Sequence, residues 1–509
     1  MKLDKNKFVT GRAASILAPA ALAMVVTGCG GGGSSSGGGA PAPQDPVGYQ
    51  YPQDMPADVA QKEIACGGEG AIELDANNLT DSAKIAFLDA QDGDVIVFPE
   101  GTFKLQDTLT LDGELSGNRV ADVTICGQGM DKTILDFSDS AGDDGLFITN
   151  IDDVEIYGLA VTEAANNAIK LQHANGVRIH YTATVWQGEP DKGNGAYGLY
   201  PVESSNVLVE NSYVRGSADA GIYVGQSDSI VVRNNIAEYN VAGIEIENST
   251  NADMYNNIAR HNTGGLLVFD LPIGNDKYGS GVRVFGNEVY ENNTKNFANS
   301  SSNPGGVHIV PPGTGVIVLS TDDVEIFDNT VEKHDTLAVA VTSFLLADEN
   351  VFGGDYDSVI ADGWLPLVRN IHVHDNTISE TGAAPNGALI QDMITLFTLT
   401  PGLEWPALIY DGAGEQLANT GALAGIGIGA YEAGDKVCFQ NNSGATIGYP
   451  YDPATAATME GPTLSPAVGT DFLDCSQEPL PAATLTFKGE MFGCGVDDTT
   501  SEHCEVAPL

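Results

Sequence analysis

Ala196–Glu203 reads AYGLYPVE, and its residue types could do chemistry. Tyr197 or Tyr200 could act as a phenol acid or a phenolate base, with Lys170 or Arg215 holding the negative charge that develops on a substrate. An unassisted phenol titrates near about 10, so such a base needs help from its surroundings. Carboxylates are the second resource. Glu245 and Glu247 share one short segment, GIEIE, while Glu203 lies two repeats earlier, which is a thin supply for two-carboxylate hydrolysis. Asp219, Asp228, Asp253 and Asp270 lie near turns, where solvation is the default role, and they predict no compact cation cluster. A third possibility is RNIHVHDN, Arg369–Asn376. It places His372 and His374 on one side of a strand, with Glu325 at the position of His372 one repeat earlier. Two imidazoles and a carboxylate are ligands for zinc or copper, against the plainer expectation of surface histidines.

These residues are positioned by a repeat. The segments EIYG, RIHY, LVEN, VVRN, DMYN, RVFG, EIFD and HVHD end at 158, 181, 211, 234, 256, 286, 328 and 375. The spacings are 23, 30, 23, 22, 30, 42 and 47 residues, a base period of 22 to 23 with insertions. That period, carried by short alternating β-type segments, suits one turn of a parallel β-helix with three strands per coil. A leucine-rich repeat would need an LxxLxL frame, and a propeller blade would be about twice as long. The position after each segment end carries Asn235, Asn257, Asn287, Asn329 and Asn376. Asparagines stacked at a rung spacing of about 4.8 Å can pass amide hydrogen bonds from coil to coil, so this row is expected to be structural.

The second strand of each coil is expected to begin at Gly or Ala, as in AIKL, GLYP, GIYV, GIEI and GLLV. Alternation then aligns Lys170, Tyr200, Tyr223, Glu245 and Leu267 in one outward column and Gln172, Val202, Gly225, Glu247 and Phe269 in the next. Rings, a cation and carboxylates on neighbouring rungs are materials for gripping a sugar chain. The expected substrate-binding set is Lys170, Gln172, Trp186, Tyr200, Tyr223, Glu245 and Glu247.

At the start of the 509-residue chain, Lys2, Lys5, Lys7 and Arg12 precede ASILAPAALAMVV, an apolar run too short to span a bilayer comfortably. VTGC follows and resembles a lipobox, which makes Cys29 the expected lipidation site. Gly30 after it favours sorting to the outer membrane. Gly30–Pro46 is a flexible tether in composition. The formal charge of −47 excludes nucleic acid as a natural partner, repels polyanions, and suits divalent cations such as calcium; no other cofactor is evident. Cys66, Cys126, Cys438, Cys475, Cys494 and Cys504 are an even set in an exported chain, so disulfides are expected. Cys494 to Cys504 is the cheapest loop, but the connectivity stays open.

The predicted organisation is a signal peptide over 1–28, a lipidated tether over 29–56, an N-terminal cap over 57–92, the β-helix over 93–382, and irregular coils with a cap over 383–509. In the N-terminal cap, DSAKIAFLDAQDG predicts a helix whose Ile85, Phe87 and Leu88 cover the core end. DKVCFQNNSGATI resembles one further coil.

Gly93–Glu247 resembles the right-handed parallel β-helix proteins of the pectate-lyase-like superfamily, with their carbohydrate-binding and sugar-hydrolase repeat. The likeness extends over roughly Asp81–Gly382. It implies an all-β solenoid with a polysaccharide as ligand. The chain also resembles bacterial β-helix lipoproteins encoded beside a dihaem c-type cytochrome, which implies a scaffold for a periplasmic cytochrome as the alternative. AYGLYPVE is similar to the AYGLDPHD segment of mannuronan epimerases. Here Tyr200 stands at the Asp position, Val202 at the His position, and the neighbouring Arg position falls near Gln226. The resemblance therefore implies the backbone of that site without its ionisable groups.

Overall fold

The computed structural model describes residues 65–115, 117–274, 277–299, 305–458, 461–499 and 503–504. The expected signal peptide, Cys29 and the tether lie outside the described residues. Among those described, no helix is long and apolar enough to cross a membrane.

One coil illustrates the rest. Strand Asp228–Arg233 forms a first flank, Ile236–Glu238 a second and Ala242–Glu247 a third, after which Thr250–Tyr255 begins the next coil. Every coil pairs in parallel with its neighbours, Ile230 opposite Val207 and Ala252, and Ile244 opposite Ile222 and Leu266. Inward positions are aliphatic on all three flanks and fully buried, as at Val232, Ala237 and Ile244. One continuous core thus runs through the stack, and branched side chains at fixed rung spacing pack in register.

The residue that ends each repeat segment is a left-handed corner between the first two flanks. Its φ is 50° at Asn211, 55° at Asn234, 53° at Asn256 and 53° at both Asp328 and Asp375. Asn, Asp and Gly tolerate this conformation best, which is why they recur there; Tyr181, φ 45°, departs from the pattern. Immediately after the corner, Asn235, Asn257, Asn287, Asn329 and Asn376 are buried. Each amide donates to the next, with Nδ2 to Oδ1 distances of 3.0, 3.1, 2.9 and 2.9 Å, and Asn376 continues to Asn442 at 2.9 Å.

A second ladder occupies the next corner: Asn240 to Asn262 at 3.0 Å, Asn262 to Asn292 at 2.9 Å, ending with Asn292 Nδ2 against His334 Nε2 at 3.1 Å. Burial pushes the His334 imidazole down to a pKa of about 3, so it stays neutral and accepts. At the third corner serines do the same work, Ser204 N donating to Ser227 Oγ and Ser227 N to Ser249 Oγ.

The insertions leave at the two corners that border the third flank. Residues 271–279 and 343–370 follow strands Gly264–Phe269 and Leu337–Thr342, while 292–313 and 380–407 precede Thr314–Leu319 and Leu408–Tyr410. Val307, Val310, Phe344, Trp364, Met393 and Phe397 from these insertions form one apolar cluster with Val202, Tyr223, Leu267 and Phe269 of the third flank. The flank is thereby roofed over much of its length.

At the start, helix Leu79–Leu88 covers the core with Leu79, Ala83, Ala86 and Phe87. Ile85 and Leu88, expected to face the core, are 61% and 63% exposed, because the buried stripe runs through 79, 83 and 87 at helical spacing. At the other end, Ala467–Gly469 pairs antiparallel with Ile447–Tyr449 and ends the parallel stacking. The disulfides are Cys66–Cys126, Cys438–Cys475 and Cys494–Cys504. The first ties the N-terminal segment to a first-flank strand and the second sits in the last coil. The third closes the tail beyond hairpin Thr484–Phe487/Glu490–Gly493. This hairpin lies on the first flank, where Leu485, Phe487 and Phe492 cover Leu208, Val231, Tyr255 and Phe285.

Candidate functional site

The strands expected second in each coil are third, because a three-residue strand such as Ile236–Glu238 precedes them, and their pairing sets Phe147, Lys170 and Tyr200 on successive rungs and Tyr223, Glu245 and Leu267 on later ones. A parallel column holds Gln172, Val202, then Gly225, Glu247 and Phe269. Both columns point away from the helix core, but much of this surface does not meet solvent. Tyr223 is 5% exposed and Glu245 1%, and Leu267 and Phe269 are buried with them, which corrects the expectation of a continuous open face. Long-range packing of the insertions decides this. Phe147, Lys170, Gln172 and Tyr200 keep partial exposure at the end the roof does not reach.

At the edge of the roof the columns build a cluster of acids and phenols. Tyr197 and Tyr200 stack at 4.4 Å between ring centroids, and Tyr223 packs against them at 4.8 and 5.1 Å. Gly225 makes room for this arrangement: a Cβ there would stand 2.3 Å from the Tyr223 ring. The ring lies back along its strand, and Tyr223 Oη donates to Glu247 Oε1 at 2.9 Å while accepting from Gln226 Nε2 at 3.0 Å. Tyr197 hydrogen-bonds Asp219, whose backbone N donates to Ala196 O at 3.1 Å. Glu245 Oε2 is buried without a hydrogen-bond partner among the described residues.

Burial and mutual repulsion hold these carboxyls protonated. Asp219 is pushed up to about 8 by desolvation and the Glu247 charge. Glu247 is pushed up to about 7 by desolvation, against the hydrogen bonds from Tyr223 and Gln226. Glu245 is raised well above the carboxylate range by desolvation and both neighbours. The three titrate as one system, which can give a proton near neutral pH. The solvating turn role expected of Asp219 is corrected here, because the corner between the second and third flanks turns it onto the outward face beside Tyr197.

A pH dependence of stability follows. The unfolded chain releases these protons above about pH 4, whereas the folded chain keeps them to about pH 7 and 8. The cluster's contribution therefore favours folding at low pH and declines as pH rises from about 4 to about 8. Discounted for the partial exposure of Asp219 and Glu247, the decline is on the order of 2 kcal/mol. Melting curves at pH 5 and 8 check it: Asp219→Asn with Glu247→Gln should flatten the fall seen in the parent. Equal slopes would show that the acids ionise freely in the folded state.

Phenolate chemistry meets a physical obstacle. Desolvation first, then nearby carboxylates, raise both Tyr197 and Tyr200 above an ordinary phenol, which opposes a base at neutral pH. Lys170 stays close, its Nζ 5.4 Å from the ring centroids of both Phe147 and Tyr200. Arg215 does not join them. It belongs to second-flank strand Tyr213–Arg215, with its guanidinium 4.2 Å from the Tyr239 ring centroid and 3.6 Å from Glu238. Trp186, expected in the binding set, is a core residue 3% exposed, with Nε1 donating to Ala164 O at 2.8 Å. Val202 is buried in the roofed apolar cluster and carries no proton-transfer group. Glu203 accepts from Gln172 Nε2 at 2.7 Å and lies 2.9 Å from His173, apart from the acid cluster's hydrogen bonds. Glu325, His372 and His374 meet on the first flank.

Residues 144–311 match the sequence model of the right handed beta helix region family. No curated protein matches the chain in sequence. Among solved structures, the chain is similar to the A-module of Azotobacter vinelandii mannuronan C-5 epimerase AlgE4, with 14% identity, 73% of this chain and 92% of that chain covered, and a TM-score of 0.39. It is similar also to DFA-IIIase from Arthrobacter chlorophenolicus A6, with 11% identity, 76% and 94% coverage, and a TM-score of 0.39. A third is alginate lyase AlyF-OU02 in complex with G6, with 13% identity, 64% and 73% coverage, and a TM-score of 0.34. The continuous parallel pairing of successive coils, together with the match to the right handed beta helix region over residues 144–311, makes the fold of this chain a right-handed parallel β-helix.

Proposed function

We propose that the protein binds a neutral glycan chain along the unroofed end of the third flank, held at the cell envelope by a lipid on Cys29. The observation that carries this reading is the run of Phe147, Lys170 and Tyr200 on consecutive rungs, leading into the tyrosine and carboxyl cluster. Rings at rung spacing cover the apolar faces of sugars, while the ammonium, Gln172 and the half-buried acids Asp219 and Glu247 serve hydroxyls. The charge of −47 disfavours polyuronates, which leaves uncharged chains as the better fit. Uronate epimerisation and β-elimination both need a base beside a cation; Lys170 offers the positive charge, but Val202 has no ionisable group and the raised Tyr197 and Tyr200 phenols oppose acting as the base.

Affinity measurements with the full chain on a panel of neutral and acidic polysaccharides test this. Binding to a neutral glycan should weaken about tenfold in Tyr200→Ala and much less in Tyr200→Phe, which keeps the ring. Unsaturated products or an altered uronate ratio from the parent would overturn the reading. Failure to bind any glycan would also overturn it and leave the partner-binding lipoprotein, with a periplasmic c-type cytochrome as partner, in its place.

A further inference from the structure

We propose that Glu325, His372 and His374 form a binding site for zinc, independent of the glycan face. The first flank brings them together. Strand Ile371–His374 pairs with Asp322–Phe327, placing His372 opposite Glu325 and His374 opposite Phe327. The insertion of residues 343–370 leaves through a corner, so the long spacing between these coils does not disturb their register. One donor atom from each of the three side chains lies within 4.8 Å of the others.

The surroundings are those of a ligand set. His374 Nδ1 donates to Asp375 Oδ2 at 2.7 Å, which aims Nε2 at Glu325 Oε1, 3.1 Å away. A carboxylate behind a histidine fixes the tautomer and orientation that a metal needs. Glu325 is held from its other oxygen, Oε2 accepting from Leu480 N at 3.0 Å. The His374 ring stacks on Phe327 at 5.3 Å, the last step of a ladder that runs from Tyr255 through Phe285.

His372 is the second observation. It is 7% exposed, its ring lies 4.0 Å from that of His374, and neither of its nitrogens has a hydrogen-bond partner among the described residues. A buried imidazole with both nitrogens unsatisfied is costly, and a metal bond satisfies it. The basic neighbour is already neutralised. Arg283, opposite Glu325 on the preceding coil, is bound by Asp253.

Two imidazoles and a carboxylate match zinc, whereas calcium and magnesium want oxygen shells. Tetrahedral bonds of about 2.0–2.2 Å place donors about 3.3 Å apart, close to the His374–Glu325 separation, and a turn of the His372 ring would close the two remaining edges, now within 4.8 Å. Water completes the fourth position. Metal at this point would also tie the Leu480 crossing to the last coils.

The test uses untagged full chain, stripped with chelator and titrated with zinc sulfate against a chromogenic zinc indicator. One equivalent should bind. His372→Gln and His374→Gln should each lose at least about a hundredfold in affinity, and Asp375→Asn about tenfold through the lost support of His374. Melting curves in chelator identify any variant that fails to fold. The parent loaded with Co²⁺ gives a reading that needs no variant: it should show visible d–d bands of four-coordinate cobalt. Absence of stoichiometric binding, absence of those bands, or variants binding as the parent does would each overturn the site.

Discussion

Arg233→Ala is expected to destabilise the protein by about 3–5 kcal/mol and to free the C-terminal hairpin. The guanidinium is 5% exposed and makes hydrogen bonds in three directions. Nε and Nη2 donate to Glu210 Oε2 at 2.9 and 2.8 Å, Nη1 donates to Tyr255 Oη at 3.1 Å, and Nη1 and Nη2 reach the tail's Asp497 at 3.1 and 2.6 Å. Alanine leaves Glu210, 4% exposed, with Arg178 on its other oxygen but nothing on Oε2. An uncompensated buried charge is the expensive part, more than the lost pair itself. Asp497 loses the ion pair that depresses its pKa, and the hairpin loses a tie to its flank. Denaturant unfolding should show the loss, and limited proteolysis should cut near 484–499 in the variant before the parent. Adding Glu210→Gln should recover part of the stability, because the orphaned charge is gone. A variant as stable and as resistant as the parent would place Arg233 in solvent and detach the tail from the first flank.

Asn257→Leu is expected to cost about 3–4 kcal/mol, since it interrupts the ladder between Asn235 and Asn287. The Asn257 side chain accepts from both the backbone N and the Nδ2 of Asn235, each at 3.0 Å. It donates to Val232 O at 2.9 Å and Asn287 Oδ1 at 3.1 Å. Leucine leaves two buried donors of Asn235 without an acceptor, each costing about 1–3 kcal/mol, partly offset by the apolar surface gained. Hydrogen exchange should localise the change to the backbone N–H of Asn235. The corner itself is set by its left-handed neighbour Asn256, so the coil path should persist. A thermal transition unchanged from the parent would mean that the corner amides are not cooperative.

The repeat is legible in the amino-acid sequence because a β-helix is built from local rules. A left-handed corner prefers Asn, Asp or Gly, the next position takes a ladder asparagine, and inward residues alternate. Segments brought into line on their ends, from 158 through 375, therefore coincide with the observed strand pairs. The second ladder carries the same period, five residues after the first at Asn240, Asn262 and Asn292. The histidine pair and Glu325 follow from register alone, since alternation places i and i+2 on one side of a strand.

Tertiary structure decided what was not periodic. Insertions have no repeat to read. Their apolar residues chose the third flank as their partner, and that choice buried Tyr223 and Glu245 while leaving Lys170 and Tyr200 accessible. The same burial raised the carboxyls of Asp219, Glu245 and Glu247, a property that depends on distance from solvent and hence on chain segments far away in sequence. Helix Leu79–Leu88 turned Phe87 inward and Ile85 outward, a matter of a rotation that composition leaves open. The Cys66–Cys126 and Cys438–Cys475 pairings and the tail's place on the first flank likewise rested on contacts between residues far apart in the chain, as between Arg233 and Asp497. Local patterning determined the coil and its columns; long-range packing determined which parts of those columns meet water.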